Sequence, residues 1–397
     1  MLPRVQIIIV DGYVGASSNI TLEFGLLASG VTVGTTFVLG QAYAITKLTD
    51  LAALGITNDP SDANANIYKA VKDFYTEALD GTKLWIYGAL NTVTMAQLCD
   101  KDGTHVKTLT IAANGAIRAI LVSKVDPTGY TPTILNGLDS DVYAAKTAAQ
   151  LFGNWITANK YAPLFFVLPG RHFSGNADAL TNLLEDTSDR VAIMIGDTIA
   201  SSPDAAVGIL LGRRSAIPLR RKLMRVLTGK LNIDNAFIGA SDAALIDPTT
   251  IDSKGFITFR KHIGKVGYFF TNDYMATSAT SDFSMMPRRC VIDEAYRLCY
   301  TKTLELLGQE FDVTDNGTIP TAIIKSIEND VASYIESSLG ENVGKNPDNP
   351  NDTGVKVFID PSQDLITADG FDLDLGIRPF GYADYINVKL HYSTQTV

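Results

Sequence analysis

Cysteine is scarce in this sequence: Cys99, Cys290 and Cys299 are the three in 397 residues. They are too few and too scattered for a disulfide framework or a four-cysteine zinc site, and the count suits a reducing compartment. The four histidines, His105, His172, His262 and His391, lie far apart, with no pair at metal-ligand spacing. No window approaches eighteen consecutive apolar residues, so no membrane span is expected. Residues 1–10 (MLPRVQIIIV) lack the length and small-residue cleavage site of a secretory signal. Positive charge is in deficit: Lys+Arg 33 against Asp+Glu 43 leaves −10, which argues against nucleic acid and against anionic membrane surfaces as partners. The P-loop pattern is absent, and Gly12-Tyr13-Val14-Gly15 lacks the middle glycine of a dinucleotide fingerprint. No internal repeat or low-complexity segment is present.

What is there describes a folded chain. Hydrophobic content of 46% with 19% charged residues excludes wholesale disorder. At about 150 residues per domain, the length suggests roughly two to three domains. Short apolar runs at residues 5–10, 35–40, 84–87, 116–123, 164–168 and 191–195 read as strands. Helical spacing of Ile67, Ala70, Val71, Phe74 and Ala78 predicts a helix capped by Asn64 or Asn66, with Gly81 beyond its end. A second helix carries Ala144, Ala148, Leu151, Phe152, Trp155 and Ile156 on one face, and a shorter one covers 177–184. Helix alternating with strand predicts an α/β (α+β mixed) fold, a layered sheet with helices on its faces.

Past residue 231 the pattern changes. Strand-like runs at 256–260 and 266–270 precede two long helices, 289–307 and 320–339, the second stopped by Gly340. A polar loop at 344–354 separates them from runs at 355–359 and 371–377. The last run, 385–392, alternates cleanly: Ile386, Val388, Leu390 and Tyr392 against Asn387, Lys389 and His391. One apolar and one polar side predict an edge or antiparallel strand.

Candidate chemistry is thin. His172 follows a strand end, where α/β enzymes place active groups, yet no nucleophile elbow or partner acid accompanies it. Asp348, Asn349, Asn351 and Asp352 match no calcium loop. Cys290 and Cys299 fall on different faces of one helix and read as small buried hydrophobes. The densest charge feature is Arg213, Arg214, Arg220, Arg221, Lys222, Arg225 and Lys230, seven cations in eighteen residues. Three readings stay open for it: nucleic-acid binding, disfavoured by the lack of interleaved aromatics; a docking patch for an acidic partner; or a solvated face. Arg288-Arg289 at the start of a helix opposes its dipole, which favours a partner.

The order of these pieces resembles the sheath proteins of contractile phage tails and related injection machines. Five stretches carry the resemblance: 34–40 with 48–55 (LTDLAALG), 68–87 (YKAVKDFYTEALDGTKLWIY), 205–229 (AAVGILLGRRSAIPLRRKLMRVLTG), 255–277 with 286–307, and 371–392. Gln309-Glu310-Phe311-Asp312 stands where the family usually has Glu-Pro-Asn, and 397 residues leave little room for large insertions. The resemblance implies a structural subunit without catalytic site or cofactor, stacked as six-membered rings around an inner tail tube. Its further partners would be baseplate and tail terminator proteins, with neither nucleic acid nor membrane insertion involved. Such a subunit would be assembled in the bacterial cytoplasm and reside in a virion tail or injection particle.

It also implies exchangeable arms that add strands to a neighbour's sheet. These are assigned to Val5, Ile7 and Ile9 at one end and Ile386, Val388, Leu390 and Tyr392 at the other, with hinges at 12–15 and 376–381. The expected division is an arm at 1–20, an α/β domain at 21–250, a C-terminal sheath core at 251–384 and an arm at 385–397. The competing class is an α/β enzyme for a small phosphorylated or nucleotide ligand, which requires a pocket near Gly12, Gly170 or Gly196. A monomeric binding module would instead fold its last strand onto its own sheet.

Overall fold

The computed structural model describes residues 22–390 and 392. The strand and hinge expected at 5–10 and 12–15 lie outside the described residues. Six strands form the central sheet: β1 (Glu23–Ser29), β2 (Ala42–Ile45), β3 (Leu84–Ala89), β4 (Ile117–Ser123), β5 (Phe165–Pro169) and β6 (Val191–Met194). Their order is β2-β3-β1-β4-β5-β6. Neighbours run parallel except β2, which pairs antiparallel with β3 at the edge. Counting only the parallel strands in chain order gives 2-1-3-4-5, a doubly wound α/β arrangement.

The helices α1 (Ala65–Glu77), α2 (His105–Ala112), α3 (Ser140–Lys160) and α4 (Val207–Ala216) pack around this sheet. Helices α1 and α4 touch at backbone distance. A Cβ on Gly208 would lie 2.5 Å from the Ala70 carbonyl oxygen, and one on Gly212 2.2 Å from that of Phe74. Alanine at either position would force the two helices apart. Asn64 precedes α1 as expected, but its side chain bonds the backbone of Val31 at 2.8 and 2.9 Å and so ties the helix start to the end of β1.

A second core follows. It comprises α5 (Met286–Thr303), α6 (Thr321–Leu339), β7 (Val355–Phe358) and β8 (Asp374–Ile377), the two strands being antiparallel. Helix α5 belongs to both cores: Met286 is buried in the first and Ala295 in the second. Polar contacts fix α5 to the sheet. Arg118 Nε pairs with Glu294 (2.8 Å), Arg190 with Asp293 (3.2 Å), and Arg297 donates to the carbonyls of Gly115 (2.6 Å) and Ile117 (2.9 Å).

Four local expectations are corrected. Residues 35–40 form a turn closed by a Val33–Phe37 bridge, with Phe37 buried, because Gly34 at φ 48° reverses the chain there. Residues 177–184 break into short 3-10 turns, each begun by an asparagine capping the backbone (Asn176, Asn182). The buried side of α3 is Val142, Ala145, Ala149, Phe152 and Ile156, which leaves Leu151 in solvent. Finally, 385–390 form no strand, since among the described residues no strand lies beside them.

Candidate functional site: a basic seat for the C-terminal tail

Doubly wound enzymes bind ligands outside the carboxyl ends of the strands. A crevice of about 350 Å³ lies there, lined by three cations (Lys69, Lys124, Arg171) and four carboxylates (Asp73, Asp126, Asp197, Asp204). The charges largely pair with each other. Lys69 Nζ donates to Asp73 (2.7 Å) and Asp197 (2.6 Å), and Arg171 Nη2 to Asp126 (2.9 Å). His172 Nε2 lies 2.8 Å from the other Asp126 oxygen. Burial pushes Asp204 up to about 6. With carboxylates in the majority, the crevice has no surplus positive charge to hold a phosphate. Among the described residues no His, Cys, Asp and Glu cluster suits a metal ion, and no helix is long and apolar enough to cross a membrane. The cysteines are unpaired, and burial raises all three thiols, Cys290 to about 11.

The basic cluster divides into inward and outward members. Arg213 is buried at the end of α4, its Nε 2.7 Å from Glu77, and it donates to the Lys230 carbonyl (2.5 Å). Arg214, also buried, binds the carbonyls of Ile217 (2.9 Å), Pro218 and Arg221 (2.8 Å). It thereby satisfies backbone acceptors just past a helix end, where cations are favoured. Lys222 is buried between Asp273 (3.7 Å) and Asp384 (2.7 Å). These three are therefore corrected out of the exposed patch: carboxylates and carbonyls from distant parts of the chain turn them inward. Arg220 and Arg221 remain half-buried and Arg225 exposed.

Arg220, together with the buried Lys222, seats the C-terminal strap, residues 378–384. Arg378 enters it with Nε 2.9 Å from Asp352 and its backbone bonded to Gly344 and Gly354. The Phe380 ring then lies 5.2 Å from the Arg220 guanidinium, which also pairs with Glu341 (2.7 Å). Tyr382 donates its hydroxyl proton to the Arg220 carbonyl (2.7 Å) while its ring sits 5.7 Å from Lys222 Nζ. Cation–π contacts of this kind each contribute about 0.5–2 kcal/mol according to desolvation. Asp384 on Lys222 ends the anchored stretch.

Beyond it the chain leaves the body. Tyr385, Ile386, Val388, Leu390 and Tyr392 are 82%, 79%, 80%, 95% and 107% exposed. Exposed apolar runs of this size are typical of interaction surfaces. The sequence singles out both the tail and the cluster. A hinge is expected at 376–381, but the chain is anchored there as a strap, because only folding brings 380–384 onto 220–222.

Solved structures share this fold along nearly the whole chain. The helical sheath of the anti-feeding prophage in its contracted state is 13% identical, with a TM-score of 0.64 over 99% of this chain and 100% of that one. The contracted sheath complex of an extracellular contractile injection system, PVC, is 13% identical, with a TM-score of 0.62 over 99% and 98%. A sheath tail protein from Listeria innocua is 12% identical, with a TM-score of 0.53 over 91% and 92%. At these identities the likeness is one of fold. No curated protein matches by sequence. Residues 2–274, well over half of the chain, match the family model DUF2586, N-terminal domain, and the chain belongs to the DUF2586 family.

Proposed function

We propose that this chain is a structural subunit of a contractile sheath. It polymerises as stacked hexameric rings around an inner tube and, on contraction, drives that tube through a cell envelope. The observation that carries this reading is the anchored tail. A strand-patterned segment stands in water at the end of a fold shared, over almost its full length, with subunits of contracted sheaths. No catalytic role is assigned. The particle is a phage-like tail or injection machine, assembled in the bacterial cytoplasm, with the tube, baseplate and tail terminator as further partners.

In this reading Ile386, Val388, Leu390 and Tyr392 complete a strand on an adjacent subunit, and Val5, Ile7 and Ile9, outside the described residues, do the same at the other end. Main-chain bonds supply affinity and the alternate side chains set register. Each buried apolar side chain contributes about 1.5–3 kcal/mol, against about 1–2 kcal/mol per residue for ordering the arm. One arm is weak; a lattice of arms is strong. The strap fixes where the arm begins, so the pivot lies immediately after Asp384. The outward cations Arg220, Arg221 and Arg225 then face a neighbouring subunit or the tube.

Deleting residues 385–397 tests the reading. The truncated chain should remain folded and soluble but fail to form tubes or ring stacks by negative-stain microscopy. Normal tubes from the truncation would overturn the role of the tail.

A further inference from the structure

A hairpin joins the short strands Phe259–Arg260 and Phe269–Phe270. Its base is rigid: Phe259, Phe269 and Phe270 are buried, and the rings of Phe259 and Phe270 stack at 5.6 Å. Its tip is the opposite, with Ile263 fully exposed and Val266 nearly so. Residues 254–271 contain Lys254, Arg260, Lys261 and Lys265 and no acidic residue. Lys254 is spent inside, on the carbonyls of Asp178 and Leu180 (2.6 Å each). Lys230 lies against Gly267 and extends the positive side. Among the described residues no carboxylate lies within ion-pair distance of Lys230, Lys261 or Lys265.

A surface of the second core has the complementary character. Residues 357–377 contain Asp360, Asp364, Asp369, Asp372 and Asp374 and no lysine or arginine. Hydrogen bonds from Ser362 and Thr367 hold the carboxyls of Asp360 and Asp364 below the usual range, so both are charged at neutral pH. Two apolar side chains are exposed among them: Ile366, and Phe358, which stands directly across the β7–β8 pair from Asp374.

We propose that the basic hairpin of one copy docks on this acidic face of a second copy. Each surface offers two exposed apolar residues set among charges, positive on the hairpin and predominantly negative on the face, where Lys356, beside Phe358, is the flanking cation. Copies carrying −10 repel one another in general, and the hairpin is where that repulsion reverses. The two surfaces are different parts of one chain, so the contact is heterologous. It propagates from copy to copy and does not close as a two-fold dimer. The inference rests on the sheath reading and names one of the contacts that reading requires.

A charge swap tests it on the full chain. K261E/K265E, and separately D372K/D374K, should each raise the concentration needed for assembly roughly tenfold or more, as expected when like charges are set opposite at an interface. Assembly is read by ultracentrifugal pelleting and microscopy. All four positions belong to solvent-facing loops or edges, so thermal melting of the dispersed variants should match the unmodified chain. Combining the two pairs should restore assembly. Unimpaired assembly of either double variant overturns the docking, and so does failure of the combined variant to recover. Failure of the unmodified chain to assemble overturns the sheath reading itself, which separates the two outcomes.

Discussion

Two segments of this molecule carry the same alternating pattern and meet opposite fates. In β7 the residues Val355, Lys356, Val357 and Phe358 run buried, exposed, buried, exposed, because α6 covers one side. In the tail Ile386, Val388, Leu390 and Tyr392 repeat that alternation with every one of them in solvent. Alternation states that one side of a segment favours burial; it does not state what buries it. The first segment is completed within the chain. The second is held at its root by the strap and stays in solvent, to be completed by another subunit in the reading proposed above.

The anchor point gives the sharpest way to break this contrast. Replacing Lys222 by alanine strands Asp273, whose carboxyl is fully buried and pushed up by that burial. Urea unfolding at neutral pH should show a loss of about 3–5 kcal/mol, the scale for removing one member of a buried ion pair. Asp384→Asn leaves the Lys222–Asp273 pair in place, so body stability should change by less than about 1 kcal/mol while the tail root loosens. Equal losses from the two substitutions would mean that the strap belongs to the body after all.

Truncations in the two alternating regions sharpen the comparison next. Ile335 of α6 is fully buried in the second core, and Ile335→Ala should cost about 2–5 kcal/mol of stability. Leu390→Ala should leave the melting of dispersed chains unchanged and weaken assembly. A melting temperature lowered by Leu390→Ala would place the tail on its own chain.

The last effect is a matter of pH. Asp204 is raised by burial to about 6 from the ordinary 3.8, so the folded chain holds a proton that the unfolded chain releases. The stability this lends is full below about pH 4 and is lost as pH rises through about 6. Asp204→Asn, which stays uncharged, should therefore gain stability relative to the unmodified chain as pH rises through that window in denaturant titrations. A difference constant with pH would contradict the crevice assignment.

Much of the fold is legible in the sequence. Pro320 and Gly340 bracket α6 because one residue starts helices and the other ends them, and β3 to β6 announce themselves as apolar runs. The central strand is not legible. Glu23–Ser29 (EFGLLAS) is paired on both edges and buried throughout, so it shows no alternation, and its leucine, alanine and glycine carry little strand preference. The candidate site is half legible. Charge density marks residues 213–230, but sequence counts cations without their directions, and Glu77 and Asp273 draw Arg213 and Lys222 inward. Nothing local joins that cluster to the aromatic pair Phe380 and Tyr382.

Hydrogen exchange of the tail amides, compared between dispersed and assembled protein, addresses the central claim most directly. Residues 385–390 should exchange freely in the dispersed chain and become protected on assembly, as their N–H groups enter a neighbour's sheet. Free exchange in both states, or protection already present in the dispersed chain, would contradict it.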